Sequence, residues 1–296
     1  MADLSQIVQR LEATLGALEA QPVPLEGGIT NRNLKATFGG RTYVIRLPGK
    51  DTSLLGISRE AEQLANAAAA RLGIAPAVAL AGEECVVTEY VAGRPLDPRG
   101  VSDRVELIAE RLRAFHESGT QLPVRFWVPD LLDSYAAIVR DRGGTLPDAY
   151  RDTHRLAQRI GEVLPLRDPA PCHNDLLPAN ILAAGDGVAL VDWDYAGIGH
   201  RVFDLGNLAV NNEFDPAAEE RLLGAYWREP ATPSRLAALR LMKIMSDARE
   251  AAWGVIQGVI SELDFDFAGY AQKHFDRIAR NASDPALEEW LGAAAT

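Results

Sequence analysis

The chain has 296 residues with 47% hydrophobic content, so it is long enough for one large core or for two lobes packed together. Its charged fraction of 24% argues against global disorder, and its formal net charge of −11, without a basic cluster, argues against nucleic acid as a partner. No apolar run reaches the length of a membrane span, and the N-terminus lacks the order of a secretory signal. The two cysteines, Cys85 and Cys172, sit in different apolar segments and have no metal-ligand spacing, so a reducing, cytoplasmic setting is expected. We also expect no contact with a membrane.

Residues 1–90 are predicted to form a small strand-rich lobe with one main helix. Gly39-Gly40 between two strands indicates a β-hairpin. Ser58 and Gly73 are the expected start and stop of the main helix. The expected elements are an amphipathic helix over 4–20, strands over 34–38 and 42–47, a helix over 58–72, and strands over 77–80 and 85–90.

Beyond a Gly/Pro-bearing connector at 91–97, residues 98–296 are predicted to be mainly helical. One short strand pair, 180–184 with 188–192, interrupts the helices at a glycine-rich turn. The expected helices cover 103–117, 130–141, 148–164, 203–211, 216–228, 233–262 with a break, and 266–281. The expected class is therefore α+β, with a small antiparallel β lobe, a hinge at 91–97 and a larger helical lobe around a nucleotide cleft.

The densest chemical information lies in three segments between residues 173 and 204, HNDLLPANIL, LVDWDYAG and FDLGN. Phosphoryl transfer requires a hydroxyl held in line, a proton acceptor beside it and Mg²⁺ bridging the phosphates. Asp175, on a loop, supplies a carboxylate that can accept the hydroxyl proton. Asn180 offers an amide oxygen and Asp192 a carboxylate, and Mg²⁺ prefers such oxygen ligands.

Each of these residues also has an ordinary structural interpretation. An Asp in such a loop is commonly a turn residue, and an Asp at a strand end often caps a helix. The joint pattern is more specific, because His-x-Asp-x₄-Asn is followed twelve residues after Asn180 by an aspartate that ends an apolar strand. This combination predicts a Mg·ATP-dependent kinase with Asp175 as its catalytic base.

These motifs resemble those of the choline/ethanolamine kinases, within the wider aminoglycoside-phosphotransferase-like kinase family, over nearly the whole chain. The resemblance implies a two-lobed, protein-kinase-like fold that uses ATP and Mg²⁺. HNDLLPANIL (173–182) resembles the family's catalytic loop, with Asp175 as the base. By the same match Asn180 and Asp192 hold Mg²⁺, while Asp204 braces the catalytic loop and His173 holds its backbone.

The N-terminal segment GGITNRN resembles the family's phosphate-covering turn, in which glycines let backbone N–H groups approach an anion. Arg46 occupies the strand position where many kinases place a phosphate-contacting lysine, and choline kinases are similar in using arginine there. Glu60 is its expected ion-pair partner, and the alternative is a surface pair of little energetic value. The other candidate nucleotide-binding residues are Gly28, Thr30, Asn31 and Asn33 in the turn, with Glu89 and Val91 in the adenine-facing hinge.

The interval between Asp192 and Asp204 contains only eleven residues. A protein kinase places a long activation segment in this interval, ending in a peptide-docking motif. The sequence therefore predicts a small-molecule substrate, bound by the helical C-terminal lobe.

Residues 242–275 resemble the choline/ethanolamine kinase C-terminal region, where aromatic rings enclose a cationic amine. Trp253 and Tyr270 match two positions of that cage. Glu250 replaces a third aromatic residue, and we expect it either to pair with a substrate amine or to face solvent. Core packing is the preferred interpretation of three other aromatic residues, Trp193, Tyr195 and Trp227. Further candidates for the substrate pocket are Asp194, Asn211 and Glu213. The expected substrate is a small amino alcohol, choline or ethanolamine.

Several alternatives stay open at this stage. Within the kinase class, the acceptor could be thiamine, an aminoglycoside or another amino alcohol. A nucleotide-binding pseudokinase would keep the fold without turnover, and the oligomeric state is open between a monomer and a homodimer. A metal-dependent hydrolase would use the histidine and carboxylate set His173, Asp175, Asp192, Asp194, His200 and Asp204.

Overall fold

The computed structural model describes residues 4–25, 31–82 and 84–295. The elements of the N-terminal lobe are α1 (Leu4–Leu15), β1 (Val23–Pro24), β2 (Asn31–Phe38), β3 (Arg41–Pro48), α2 (Arg59–Arg71), β4 (Val78–Ala81) and β5 (Val86–Glu89). The strands form an antiparallel sheet in the order β1-β2-β3-β5-β4. Ile7 and Leu11 from α1 join Leu34, Phe38 and Ile45 from the sheet in one buried cluster. Burial of these side chains holds α1 against the sheet.

The predicted hairpin joins β2 to β3 through Gly39 and Gly40, whose φ values are 54° and 78°. Two consecutive positive φ values give a turn that matches the right-handed twist of the strands, and glycine adopts them without steric cost. A Cβ at Gly39 would lie 2.5 Å from the carbonyl oxygen of Leu15 at the end of α1. The hairpin prediction is therefore confirmed, and the turn also allows α1 to approach closely.

Helix α2 begins and ends where the sequence predicts. The Ser58 side chain accepts a hydrogen bond from the Ala61 N–H at 3.3 Å, and Gly73 beyond the helix has a φ of 66°. The buried face of α2 contains alanines together with Glu62 and Asn66. A carboxylate on such a face requires a charged partner, because burial of an unpaired charge is costly.

The C-terminal lobe is mainly helical, as predicted. Its helices are α3 (Pro98–Ser102), α4 (Val105–His116), α5 (Val128–Asp141), α6 (Asp148–Val163), α7 (Arg201–Asn211), α8 (Pro216–Trp227), α9 (Pro233–Ile260), α10 (Phe267–Ala282) and α11 (Leu287–Ala294). Its strands are β6 (Pro169–Cys172), β7 (Ile181–Ala184), β8 (Gly187–Leu190) and β9 (Gly197–His200), with β6 paired to β9 and β7 to β8. With the sheet of the N-terminal lobe, this arrangement confirms the two-lobed α+β class.

Helix α9 is continuous over 28 residues, so the predicted break within 233–262 is wrong. Gly254, in the helix interior, does not interrupt it. A Cβ at this position would lie 3.0 Å from the Ala271 Cβ, so the glycine allows α10 to pack closely against α9. Helix α9 also contacts α5, α7 and α11, and it forms the centre of the C-terminal lobe.

The pairing of β6 with β9 was not predicted, because the sequence indicated one strand pair in this lobe. The segment PAPC contains two prolines and GIGH two glycines, which are depleted in strands. Long-range pairing nevertheless joins Cys172 to Gly197 and Pro169 to His200. Since β6 leads directly into the catalytic loop and β9 into α7, this pair brings those two segments together.

The connector at 91–97 runs beside β7 at the end of the catalytic loop. The Leu96 N–H donates to the Ile181 carbonyl at 2.9 Å. Gly93 lies so close to β7 that a Cβ would be 1.8 Å from the Ala183 carbonyl oxygen. The connector is therefore attached to the C-terminal lobe next to the catalytic loop.

Buried apolar residues also join the two lobes. Ala65 and Ala68 of α2 belong to the same cluster as Leu112 of α4 and Leu190 of β8. Leu55, from the segment before α2, packs into the cluster around α9. Within the described ranges, no helix combines the length and the apolar character needed to cross a bilayer.

Candidate active site

A cavity of about 550 Å³ lies between the two lobes. This volume is in the range of small-molecule sites, roughly 300–1,000 Å³. Its walls come from the sheet, the connector, the catalytic loop and α9. The candidate residues that line it are Asn33, Arg46, Glu89, Val91, Asp175, Asn180, Asp192, Glu250, Trp253 and Tyr270. The fold thus brings widely separated parts of the sequence to one cleft.

The carboxylate of Asp204, in α7, binds the backbone at the start of the catalytic loop. Its Oδ2 accepts the His173 N–H at 2.8 Å, and its Oδ1 accepts the Asn174 N–H at 2.7 Å. The Nε2 of His116, from α4, contacts the same Oδ2 at 2.9 Å. Asp204 is fully buried, and hydrogen bonds to an ionised group are strongest where water is excluded. These contacts fix the conformation of the loop immediately before Asp175.

Two asparagines, which were not predicted from the sequence as site residues, hold the next part of the loop. The Asn207 Oδ1 accepts the Leu176 N–H at 2.5 Å, and its Nδ2 donates to the Ser246 Oγ at 2.9 Å. The Asn212 Nδ2 donates to the Leu176 carbonyl at 3.3 Å. Asn207 lies three residues after Asp204 in the motif FDLGN, so both occupy one face of α7. The spacing of three residues from Asp204 was therefore the sequence signal that could have identified Asn207.

The imidazole of His173 connects the catalytic loop to the end of β8. Its Nε2 donates to the Val191 carbonyl at 3.0 Å, and its Nδ1 accepts the Asp175 N–H at 3.3 Å. Its ring lies 4.4 Å from the Trp193 ring, centroid to centroid. Burial lowers the pKa of His173, which leaves the ring neutral and its Nδ1 free to accept. The neutral ring thus links the loop of Asp175 to the backbone just before Asp192.

Asp175 lies at the cavity with both carboxylate oxygens in contact with neighbouring side chains. The Asn180 Nδ2 donates to two oxygens of Asp175, the backbone carbonyl oxygen at 2.8 Å and the side-chain Oδ2 at 3.2 Å. On the opposite side, the Arg249 Nη1 donates to Oδ1 at 3.2 Å. Burial raises the pKa of Asp175 to about 7, with Arg249 opposing the shift and Glu250 adding to it. A carboxyl group with this pKa can exchange a proton near neutral pH.

The groups that could hold a divalent cation are Asn180, Asp192 and Asp194. The Asn180 amide nitrogen is used within the loop, so its oxygen is the atom left for a cation. The Asp192 side chain is 26% exposed, whereas that of Asp194 is 2% exposed and engaged in ion pairs. The Asn180 amide oxygen and the Asp192 carboxylate are oxygen donors of the kind that fits Mg²⁺. Asp192 is the more accessible of the two carboxylates.

The guanidinium of Arg46 bridges α2 and the segment that follows β8. Its Nη2 contacts Asp192, and also the Asp194 Oδ1 at 2.8 Å, while its Nη1 lies 3.5 Å from the Glu62 Oε1. Burial raises the pKa of Asp192, but the charge of Arg46 outweighs burial and leaves this pKa below its ordinary value. The Asp192 carboxylate is therefore ionised and able to bind a cation.

The expected pairing of Arg46 with Glu60 is wrong, because Glu62 contacts Arg46 instead. Glu60 is exposed, whereas Glu62 is fully buried. Residues two apart on a helix point in nearly opposite directions, so one of the two carboxylates faces the sheet. The sequence placed an acidic partner at the start of α2 but did not determine which glutamate it was.

A second guanidinium, that of Arg59, was missed from the sequence. Its Nη1 lies 2.8 Å from the Asp194 Oδ1 and 2.7 Å from the Glu62 Oε2. Asn31, a candidate for the phosphate-covering turn, donates instead to the Asp194 Oδ2 at 2.6 Å. Asp194 is thus held by Arg46, Arg59 and Asn31, and it is not among the residues that line the cavity. Its assignment to the substrate pocket is therefore corrected, and its contacts indicate a role in joining the lobes.

The other candidate nucleotide-binding residues come from the sheet and the connector. Asn33, Glu89 and Val91 line the cavity. Gly28 and Thr30 lie outside the described residues. These described candidates for nucleotide binding, which line the cavity, therefore lie on β2, β5 and the start of the connector.

The far end of the cavity, away from the sheet of the N-terminal lobe, is formed by α9 and α10. Glu250 is 1% exposed, and its Oε1 accepts from the Arg249 Nη1 at 2.5 Å and its Oε2 from the Tyr270 hydroxyl at 2.6 Å. Trp253 and Tyr270 are in contact at 5.4 Å between ring centroids, and Tyr195 lines the cavity rather than only packing in the core. Burial and then Glu250 raise the pKa of Tyr270, so its hydroxyl keeps its proton and donates. Of the two alternatives for Glu250, exposure to solvent is therefore wrong.

Asn211 and Glu213 do not belong to the residues that line the cavity. Helix α7 ends at Asn211, and Glu213 is exposed with a φ of 54°. The chain turns away from the cleft at this point, and it is Asn212 that points back to the catalytic loop. The substrate-pocket assignment of Asn211 and Glu213 is therefore corrected.

The residue set of the hydrolase alternative is not arranged around one centre. The Nδ1 of His200 caps α7, and His173 donates to a backbone carbonyl. In the described part of the chain, His116, Cys172 and Asp204 lie close together and are fully buried, but the His116–Asp204 contact belongs to the bracing of the catalytic loop. The histidines therefore serve as hydrogen-bonding groups in the scaffold.

Comparison with known proteins gives a family and several relatives. A family model described as the phosphotransferase enzyme family (APH) matches residues 22–239. Protein LicA of Haemophilus influenzae is 26% identical over 269 residues, covering 84% of this chain and 96% of the relative. Ethanolamine kinase 2 of Rattus norvegicus is 28% identical over 269 residues, covering 79% of this chain and 68% of the relative.

Among solved structures, a choline/ethanolamine kinase family protein from Mesorhizobium loti is similar to this chain with a TM-score of 0.81. The two sequences are 29% identical, and the similarity covers 97% of this chain and 98% of the other. The family model ends at residue 239, so it includes the catalytic loop and the candidate metal ligands. The far end of the cavity, with Arg249, Glu250 and Trp253, lies beyond the matched segment.

Proposed function

The chain belongs to the phosphotransferase enzyme family, and from this premise we propose that it transfers a phosphoryl group from Mg·ATP to the hydroxyl of a small amino alcohol of the choline or ethanolamine type. Its similarity to these relatives indicates a small-molecule kinase of the choline/ethanolamine kinase type. The observation that carries the proposal is the position of Asp175 in the interlobe cavity, between the candidate metal ligand Asn180 and Arg249.

In the proposed reaction, Asp175 accepts the proton of the acceptor hydroxyl as that oxygen bonds to the γ-phosphorus of ATP, while the bond from this phosphorus to the bridging oxygen breaks and ADP leaves. The contacts of Asp204 and His173 hold the loop, so the carboxylate is oriented before substrate binds. Asn180 and Asp192 would hold Mg²⁺, which supplies charge neutralisation on the phosphates when bound. The pKa of about 7 for Asp175 supports its role as the base near neutral pH.

We assign the nucleotide to the N-terminal side of the cavity. Residues 1–90 would form the nucleotide-binding lobe, 91–97 the hinge and 98–296 the catalytic and substrate-binding lobe. Arg46 would contact the phosphates while Glu62 holds its guanidinium, a role that its burial and its contact with the metal ligand Asp192 support. The connector beside β7 would offer backbone groups to the adenine ring.

We assign the acceptor to the far end of the cavity, formed by α9 and α10. Trp253 and Tyr270 would contact the cationic end of the alcohol, because ring faces attract cations. The distance from this aromatic pair to the base is spanned by Glu250 and Arg249. We therefore expect an acceptor of a few carbon atoms.

A coupled ADP-release assay tests the proposal. The purified protein is incubated with Mg·ATP and, separately, choline, ethanolamine, thiamine and an aminoglycoside. We expect ADP release that depends on an amino alcohol, together with its phosphate ester as product. Release of phosphate without an acceptor, or no release with any of the four, would overturn the proposed function.

A further inference from the structure

The Asp175 carboxylate receives one hydrogen bond on each of its two oxygens, and the donors come from different parts of the chain. The Asn180 Nδ2, within the catalytic loop, donates to Oδ2 at 3.2 Å, and the Arg249 Nη1, on helix α9, donates to Oδ1 at 3.2 Å. The last side-chain torsion of an aspartate has a broad range, so a contact on one oxygen alone leaves the plane of the carboxylate poorly defined. Two donors, one on each oxygen, fix that plane.

The position of Arg249 is fixed in turn by side chains outside the catalytic loop. Its Nη1 also donates to the Glu250 Oε1 at 2.5 Å, and its guanidinium carbon lies 4.1 Å from the centroid of the Tyr195 ring. The other Glu250 oxygen accepts a hydrogen bond from the Tyr270 hydroxyl at 2.6 Å. A continuous row of contacts therefore runs from Tyr270 on α10, through Glu250 and Arg249 on α9, to Asp175.

Burial strengthens this row of contacts. Arg249 is 2% exposed, Glu250 1% and Asp175 7%. Hydrogen bonds between charged groups are strong where water is excluded, and a buried charge that loses its partner is costly. Since so little of Arg249 is exposed, it has almost no surface to offer a bound acceptor. Its effect on the reaction therefore passes through Asp175, the one member of the row that would receive the acceptor hydroxyl.

We propose that Arg249 is a positioning residue of the phosphotransferase reaction, which holds the Asp175 carboxylate in the orientation that accepts the proton of the acceptor hydroxyl. The helices that form the acceptor end of the cavity thereby also orient the base. The inference rests on the proposed function, because it takes Asp175 as that base. A displacement of about 1 Å in a reacting group can cost on the order of 10²-fold in rate, so this contact is important for turnover.

A double-mutant cycle between Arg249 and Asp175 tests the inference. Single-turnover rates of phosphoryl transfer are measured at saturating Mg·ATP with choline or ethanolamine, whichever the wild-type protein turns over faster. In the wild-type background, Arg249→Met should lower this rate by about 10- to 100-fold, the effect of a misoriented base. In the Asp175→Asn background, the same substitution should change the rate by less than about 3-fold, because the base that Arg249 orients is already lost.

Further variants separate positioning from a loss of fold. Arg249→Met leaves the buried Glu250 carboxylate without its cation, so a double variant, Arg249→Met with Glu250→Gln, removes both charges and should slow the transfer to a similar extent. Calorimetric binding of Mg·ATP verifies that each variant is folded, and the double variant replaces the single one in the cycle if the single one does not bind. Arg240→Met, on the same helix but 3.8 Å from Glu219, is the matched control and should keep the wild-type rate.

The outcomes also separate this inference from the proposed function. A rate loss confined to the background with Asp175 supports the inference. Equal losses in the two backgrounds would overturn it, because a residue that only stabilises the lobe acts independently of Asp175. Wild-type rates for the Arg249 variants would overturn it while the proposed function stands. A wild-type rate for Asp175→Asn, or no turnover of either alcohol by the wild-type protein, would overturn the inference together with the proposed role of Asp175.

Discussion

Asp204 and His173 are 31 residues apart in the chain, yet the Asp204 carboxylate accepts the His173 backbone N–H at 2.8 Å. The second oxygen of the same carboxylate accepts the next N–H, that of Asn174, which has a φ of 65°. One buried side chain therefore fixes two consecutive peptide groups in a turn of the backbone that few residues adopt. Asp175 follows directly, so its position depends on this contact.

Asp204→Asn tests the bracing of the catalytic loop. Asparagine retains one acceptor oxygen, so one of the two backbone N–H groups loses its partner, at a cost of about 1–3 kcal/mol. We expect a fall in Tm of roughly 2–12 °C, measured by scanning calorimetry, and a loss of turnover. Asp215→Asn, at the exposed N-cap of α8, is the matched control and should leave both unchanged. A wild-type Tm and rate for Asp204→Asn would contradict the role of this residue.

Asp175→Asn tests the base. The substitution keeps the shape of the side chain and one acceptor oxygen for Asn180, so Mg·ATP binding should stay near wild type, while loss of the buried contact with Arg249 lowers Tm. Turnover should fall by about 10²–10⁴-fold, the usual contribution of a positioned general base. Single-turnover kinetics measure the effect on the transfer step. A rate within a few-fold of wild type would exclude Asp175 as the base.

Asp192→Asn tests the metal assignment. Asparagine is chosen because Asp192 has a φ of 64°, a conformation that asparagine tolerates better than alanine does. Loss of the charge should weaken the Mg²⁺-dependent part of nucleotide binding by roughly 10- to 100-fold, as expected for one contact between charged groups. Calorimetric titrations of ATP with and without Mg²⁺ isolate this part. If Mg²⁺ strengthens ATP binding equally in the variant and in the wild type, another residue holds the ion.

Gly93→Ala tests the attachment of the connector to β7. A Cβ at Gly93 would lie 1.8 Å from the Ala183 carbonyl oxygen, so the backbone must move. We expect a destabilisation of about 1–3 kcal/mol and a raised KM for ATP, because the connector borders the nucleotide side. Gly82→Ala is the control, since no atom lies within 4 Å of a Cβ there. Identical melting curves for the two variants would contradict the close packing.

His200→Asn tests a pH dependence of stability. Burial, followed by the charge of Arg201, lowers the pKa of His200 from 6.5 to about 4, and its Nδ1 accepts the Val202 N–H at 3.2 Å as the N-cap of α7. Between about pH 4 and pH 6.5, this side chain binds a proton in the unfolded chain but not in the folded protein. The stability from the neutral ring is therefore complete above about pH 6.5 and is lost as the pH falls toward 4.

Asparagine supplies a side-chain oxygen that can accept the Val202 N–H in place of the His200 Nδ1, and it does not titrate in this range. The Tm of His200→Asn should therefore decrease less than that of the wild type between pH 7 and pH 4.5. His173, which is buried and present in both proteins, contributes equally to each curve. Parallel Tm profiles for the two proteins would show that His200 is not the source of the pH dependence.

The sequence by itself determined features that depend on a few neighbouring residues. Gly39-Gly40 specified the hairpin through positive φ values, and Ser58 specified the start of α2 through its cap. The spacing of Asp175, Asn180 and Asp192 indicated phosphoryl transfer, because that chemistry requires a base and oxygen ligands on a loop and a strand end. Such signals are local, so no knowledge of the packing was needed to read them.

Only the tertiary structure decided which distant side chains meet. Glu62 rather than Glu60 contacts Arg46, because the rotation of α2 against the sheet sets which face of the helix is buried. The pairing of β6 with β9 contradicts the strand propensity of their prolines and glycines, and it depends on hydrogen bonds between segments far apart in the chain. The contact of Arg249 with Asp175 likewise follows from the way α9 packs against the catalytic loop, a relationship that no local pattern of residues contains.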